Sequence, residues 1–216
     1  VLNVAKNCNI PIVTISTDKA VRPTSILGLT KRISEVMCLQ YNNKFFSSKV
    51  VRFGNVFNSV GSAVPTFINQ INNRLPITIT DKNVKRFFMT ANEACFLLMT
   101  SLKVSKPNNV IILNMGKPVK ILKIINKLIS LKKKIDPNYT YEIKQIGLQQ
   151  GEKMNEQLTI SKKLIKTSNQ DISISTDPTY SNAELDNLLR KLKDVNESKV
   201  STSLMKKFLF KDFRSK

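Results

Sequence analysis

The chain has 216 residues, 41% of them hydrophobic, enough to bury a sizeable core and to exclude a disordered tail. Its 35 Lys and Arg against 15 Asp and Glu leave a formal charge of +20, which would suit a partner carrying phosphates or an acidic surface. The lysines are scattered, and no recognition module or basic-and-aromatic stripe goes with them, so the composition argues against nucleic acid as a partner.

Cys8, Cys38 and Cys95 are far apart and the chain has no histidine, which speaks against both a disulfide framework and a metal site. A reducing, cytoplasmic setting is the expectation. No apolar run has the length of a membrane span and no leader opens the chain. The absence of an initiator methionine before Val1 suggests a piece of a longer protein, so the cytoplasmic face of a membrane stays open should an anchor lie upstream.

In chain order, Val1 to Cys8 has the spacing of a helix end, and the β-branched run from Ile10 to Ser16 predicts a buried strand. After a polar loop broken by Pro23, Ser25 to Tyr41 predicts a helix on Ile26, Leu29, Ile33, Val36, Met37 and Leu39. Val50 to Phe53 is the next strand. Pro65 suits the first turn of a helix carrying Phe67, Ile68 and Ile71, and Ile77 to Thr80 is a short strand. Thr90 and Glu93 have capping-box spacing and predict a helix through Leu102. Val110 to Leu113 reads as a strand, Val119 to Leu131 as a helix ending in the solvated run Lys132-Lys133-Lys134, and Tyr141 to Ile146 as a strand. Ser181 and Glu184 repeat the capping-box spacing for a helix through about Lys193, and a polar, basic tail follows from Glu197.

Alternating helices and strands predict an α/β fold, in which ligands sit beyond the carboxyl ends of the strands. Thr17, Asp18 and Lys19 follow the first strand directly, so a hydroxyl, an acid and an amine stand together at such a place. Taken alone they also suit a turn with a capping Asp and a solvated Lys. Lys31, on the apolar helix that follows, is placed to hold a cofactor ribose.

These residues carry a resemblance. The run from Ser16 to Thr24, with Gly28 to Arg32, resembles the extended short-chain dehydrogenases/reductases. Within them it is most similar to the polysaccharide-biosynthesis group of UDP-N-acetylglucosamine 4,6-dehydratases. The likeness continues, in order, through Val51–Val56, Gly61–Pro65, Arg86–Thr90, Asn114–Val119 and Gly151–Lys153. It implies a partial Rossmann-like, doubly wound parallel sheet with a smaller C-terminal substrate-binding region. The domains it implies are 1–57, carrying the catalytic residues of the dinucleotide-binding domain; 58–176, a mixed substrate-binding region with returning Rossmann elements; and 177–216, a C-terminal helix and basic tail.

The implied activity is a lyase reaction on a UDP-sugar in surface polysaccharide or glycan biosynthesis. NADP or NAD takes hydride from C4, water leaves across C5–C6, and the hydride returns to C6. By the resemblance Lys19 removes the C5 proton, Asp18 protonates the departing C6 hydroxyl, and Thr17 holds the C4 hydroxyl, roles that need an acid and a base working side by side. Lys31 matches the lysine that contacts the nicotinamide ribose, and Gly54 and Val56 line the cofactor. Asn55, Arg86, Gly151 and Glu152 match positions that line the sugar and diphosphate, where a guanidinium fork suits phosphate oxygens.

The sequence departs from the family pattern in three places. Leu27 stands where most of these enzymes have tyrosine, so the C4 proton has no assigned base and Thr17, Asp18 through a water, or solvent remain open. Gln149-Gln150 replaces Arg-Pro, which predicts weaker nucleotide binding or a shifted substrate. None of the six glycines forms the Gly-rich turn that cradles a dinucleotide pyrophosphate. That cradle is expected upstream of Val1, and the isolated chain is expected to be inactive. A nucleotide-sugar epimerase of the same fold, or a non-catalytic fragment binding an acidic partner, is the alternative, and a homo-oligomer is compatible with all three.

Overall fold

The computed structural model describes residues 1–40, 47–59, 61–104, 109–161 and 163–177, with residues 181, 183, 186, 187, 189 and 190. In chain order the elements are α1 (Leu2–Asn7), β1 (Ile12–Thr17), a 3₁₀ turn (Asp18–Ala20), α2 (Ile26–Gln40), β2 (Ser48–Phe53), β3 (Asn55–Val56), α3 (Ala63–Asn72) and β4 (Ile77–Ile79). There follow β5 (Lys85–Arg86), β6 (Phe88–Met89), α4 (Ala91–Val104), β7 (Val110–Leu113), β8 (Val119–Lys120), α5 (Ile121–Ile135), β9 (Ile143–Gln145), β10 (Leu164–Lys166) and β11 (Ile172–Ser175). The helix expected from Ser181 falls largely outside the described residues, as does the tail from Glu197.

The chain forms two compact units. The first comprises Val1–Phe53, Phe96–Asn114 and the described part of the chain from Gln157; the second comprises Gly54–Cys95 and Met115–Glu156. The first unit holds a five-stranded sheet in the order β1-β2-β7-β11-β10. Its strands β1, β2 and β7 run parallel, with Ile12 opposite Ser48, Thr17 opposite Phe53, and Val50 opposite Val110. This is the α/β Rossmann-like parallel sheet that the sequence predicts. Centrally placed β7 is buried along its whole length, which is why Val110–Leu113 reads as an unbroken apolar run, and in β2 beside it Val50 and Val51 are buried. The sheet then turns antiparallel, β11 pairing with β7 and β10 with β11.

The second unit contains three two-stranded sheets: β3 with β6, β4 with β9, and β5 with β8. Its core joins Phe67 and Ile71 of α3 to Ile121, Ile125 and Ile129 of α5, with Ile77, Ile79, Val84 and Tyr139. The α5 isoleucines recur every four residues and form one buried stripe. Here the structure corrects the sequence reading. Val119 and Lys120 pair with Arg86 and Lys85 in β8, so α5 begins at Ile121, whose N–H donates to Val84 O (3.0 Å). A tertiary pairing has captured two residues that periodicity assigned to the helix.

The start of α4 is as expected. Glu93 N donates to Thr90 Oγ1 (3.2 Å) and Thr90 N to a Glu93 carboxylate oxygen (2.7 Å), a reciprocal capping box. No helix among the described residues is long and apolar enough to cross a membrane.

Candidate active site

In the first unit the candidate residues cluster at the carboxyl end of β1. Thr17 ends the strand and caps the 3₁₀ turn, its Oγ1 accepting the Lys19 N–H (3.4 Å). The Thr17 hydroxyl donates to Asp18 Oδ1 (2.8 Å), and the same oxygen accepts from Lys19 Nζ at 3.0 Å. Asp18 is fully buried, and its Oδ2 has no hydrogen-bond partner. A buried carboxylate oxygen without a partner costs free energy, and such atoms are found where a group is kept ready for chemistry. The Lys19 side chain keeps 30% of its surface exposed, so the amine end of the pair is the accessible one.

Helix α2 holds this turn from one face. At its start, Ser25 Oγ accepts the Gly28 N–H (3.2 Å). A Cβ on Gly28 would lie 2.3 Å from Lys19 O, so only glycine lets the helix approach this closely. Gly28→Ala is therefore expected to push α2 off the turn and to cost roughly 1–3 kcal/mol, visible as a lower urea midpoint at unchanged slope. One turn further on, Lys31 Nζ donates to Ile15 O (3.4 Å). Leu27 is 58% exposed and, one turn before Lys31, has no group that could move a proton.

Behind the turn lies a buried charge network that the sequence reading missed. Glu35 Oε1 accepts from Ser16 Oγ (2.5 Å) and Arg52 Nε (2.6 Å), and Oε2 accepts from an Arg52 terminal nitrogen (2.7 Å) and from Arg32 (2.9 Å). Arg52 also reaches Asp177 (2.6 Å), whose other oxygen accepts from Thr159 Oγ1 and from the N–H groups of Ile160 and Ser161. Burial pushes the Glu35 carboxyl up, but the hydrogen bond and charge of Arg52, the charge of Arg32 and the Ser16 hydroxyl together hold it below its ordinary range. Asp177 is lowered in the same way: burial opposes it, and Ser161 N–H, Thr159 and Arg52 outweigh that burial. Two sequence signals could have exposed the network: charged Arg32 and Glu35 on the buried face of α2, and Arg52 inside an apolar strand.

In the second unit the remaining candidates also come together. Asn55 and Val56 pair in parallel with Phe88 and Met89, and the Asn55 N–H and side-chain amide both donate to Phe87 O (3.0 Å each). Gly54 N–H is directed at Met115 Sδ. Arg86, buried in β5, forms an ion pair with Glu152 (2.7 Å) and donates to Lys85 O and Met154 O. Glu152 also accepts from Thr80 Oγ1 (3.0 Å) and from Gln149 N (3.2 Å). Gly151 has φ +81°, a left-handed conformation that turns the chain into Glu152 at little steric cost. The exposed Gln149 lies beside this pair. Among the described residues no group of three or more acidic, cysteine or histidine side chains is placed to hold a metal.

The family model described as polysaccharide biosynthesis protein matches residues 1–177, most of the chain and every candidate residue above. The chain belongs to this family. Its relatives include the capsular polysaccharide biosynthesis protein CapD of Staphylococcus aureus, 42% identical over 148 residues, which cover 68% of this chain and 24% of CapD. A UDP-glucose 4-epimerase of Rickettsia rickettsii is 30% identical over 160 residues, covering 72% of this chain and 45% of the epimerase. The chain thus spans about a quarter of the first relative's length and under half of the second's. Among solved structures, Pen from Bacillus thuringiensis superposes with a TM-score of 0.74 at 28% identity, over 88% of this chain and 65% of Pen. This family membership and this likeness carry the extended short-chain dehydrogenase/reductase assignment.

Proposed function

We propose that this polysaccharide biosynthesis chain carries the elimination centre of a nucleotide-sugar 4,6-dehydratase that acts on UDP-N-acetylglucosamine with a nicotinamide cofactor. The observation that carries the reading is the Asp18–Lys19 pair: one acid and one amine joined by a 3.0 Å hydrogen bond at the carboxyl end of a parallel strand. Such a pair suits loss of water. Transfer of the shared proton from Lys19 Nζ to Asp18 Oδ1 turns the ion pair into a free amine beside a carboxylic acid. The amine takes the C5 proton, the acid gives its proton to the departing C6 hydroxyl, and the ion pair is restored; once hydride has returned to C6, the Lys19 ammonium, exchanged with solvent, gives a proton back to C5. A substrate that covers the exposed part of Lys19 would exclude water and favour the uncharged form of the pair.

Thr17 Oγ1, its own hydrogen directed at Asp18, keeps lone pairs with which to accept the C4 hydroxyl. Lys31, held at Ile15 O, has further N–H groups that suit the ribose hydroxyls of NAD or NADP. When bound, that cofactor supplies hydride acceptance from C4 and its return to C6. Arg86, Glu152, Gly151 and Asn55 are assigned to the UDP-sugar, and Gly54 and Val56 to the cofactor side. Glu152 neutralises Arg86, so diphosphate binding here rests on a hydrogen-bonding fork more than on free charge.

The test is to incubate the full-length protein with UDP-N-acetylglucosamine and NAD or NADP in deuterated water. A 4-keto-6-deoxy sugar with deuterium at C5 is expected. The second reading, a 4-epimerase, draws on the likeness to the rickettsial enzyme. A product that is only the C4 epimer, with no solvent deuterium at C5, would overturn the dehydratase reading in its favour.

A further inference from the structure

Three residues of one face of α2 meet the strand and turn that carry the candidate acid and base. Gly28 abuts Lys19 O, Lys31 donates to Ile15 O, and Glu35 accepts from the Ser16 hydroxyl. Their spacing, i, i+3 and i+7, places them on a single helical stripe. The third contact is anchored most firmly. Both Glu35 oxygens accept two hydrogen bonds, from Ser16, Arg52 and Arg32, and Arg52 is tied in turn to Asp177 and to Leu158 O. Ser16, Glu35 and Arg52 are all buried, and Ser16 lies opposite Arg52 in the sheet register.

We infer that Glu35 is a positioning residue: acting through the Ser16 hydroxyl, it fixes the end of β1 and so sets Thr17, Asp18 and Lys19 relative to Lys31. A purely stabilising role would not call for charge here, because a buried ion pair gives little net stability over well-packed apolar side chains of the same volume. What an apolar pair cannot supply is a directional bond to the residue immediately before Thr17. Four acceptor directions filled by three partners leave the carboxylate one orientation, and Ser16 inherits it. The kinetic consequence rests on the dehydratase reading; the structural one does not.

The test uses the full-length protein with Ser16→Ala, which removes one hydroxyl and leaves Glu35 bound to Arg52 and Arg32. Amide exchange at Val21, whose N–H donates to Asp18 O, is expected to quicken about tenfold or more, while Val51 and Ile111 in the central strands stay unchanged. Ser16→Thr, which keeps the hydroxyl, is expected to restore the protection. In turnover, Ser16→Ala is expected to lower kcat roughly 10- to 100-fold with KM for the UDP-sugar nearly unchanged. Unchanged exchange at Val21 would overturn the inference. So would parallel quickening at Val51 and Ile111, or loss of the fold, since either would make Ser16 a stability residue. A parent protein that turns over no nucleotide sugar would sink the dehydratase reading alone, and the exchange result would still decide this one.

Discussion

Glu35→Ala is expected to destabilise the first unit by about 3–5 kcal/mol, a large part of the roughly 5–15 kcal/mol that holds a typical domain folded. The cost comes from the partners left behind. Arg52 and Arg32 would stay buried with one carboxylate, Asp177, where the parent has two. Removing Arg52 as well would not restore balance as it does for an isolated pair, because Arg32 and Asp177 would then each lose an ion-pair partner. A fall in the urea midpoint at constant slope checks the prediction, and a loss below about 1 kcal/mol would contradict it. The effect has a pH signature. Glu35 and Asp177 are both held below their ordinary values of 4.5 and 3.8, so each contributes stability that is fully present above those values. That contribution is lost as pH falls through the lowered folded-state values. The gap between parent and Glu35→Ala should therefore be constant around neutral pH and close in acid.

What the sequence could show followed from how local each signal was. Val110–Leu113 is a fully buried strand whose composition announces it, Ile12–Thr17 is a strand as its β-branched run predicts but not a buried one, since Ile15 is 47% exposed, and Thr90 with Glu93 fixes the start of a helix within four residues. Ile172–Ser175 alternates apolar and polar, yet four residues are too few to separate a strand from loop, and Leu164–Lys166 is an exposed edge strand with no buried face to pattern it. The antiparallel end of the sheet went unread for that reason. The candidate turn was legible because its chemistry is contiguous: Thr17, Asp18 and Lys19 are neighbours in sequence. The network behind it was not, since Glu35 meets Arg52 across 17 residues and Arg52 meets Asp177 across 125, and no local pattern encodes such a meeting. Arg86 and Glu152, 66 residues apart, were each singled out through the family resemblance, while their mutual ion pair came only from the fold.

Asp18→Asn in the full-length protein is expected to lower formation of the 4-keto-6-deoxy product by about 10²–10⁴-fold, the span that loss of a positioned general acid covers. The replacement is nearly isosteric. Its carbonyl oxygen can still accept from Thr17 and Lys19 where Asp18 Oδ1 does at 2.8 and 3.0 Å, so the turn should keep its shape and the melting temperature should move little. What disappears is the one group able to receive the Lys19 proton and hand it to the leaving hydroxyl. With Thr17 or solvent as the C4 base, cofactor reduction in a single turnover should survive while elimination stalls. Lys19→Met should fail at the same elimination step, with no exchange of the C5 hydrogen with solvent, because the base itself is gone. The pair of variants separates the two readings of the site. Epimerisation at C4 takes hydride away and returns it without losing water, so an epimerase would tolerate Asp18→Asn with most of its rate intact. A dehydratase has no other buried acid in the turn to take its place, since Asp18 is the sole carboxylate between Ser16 and Thr24.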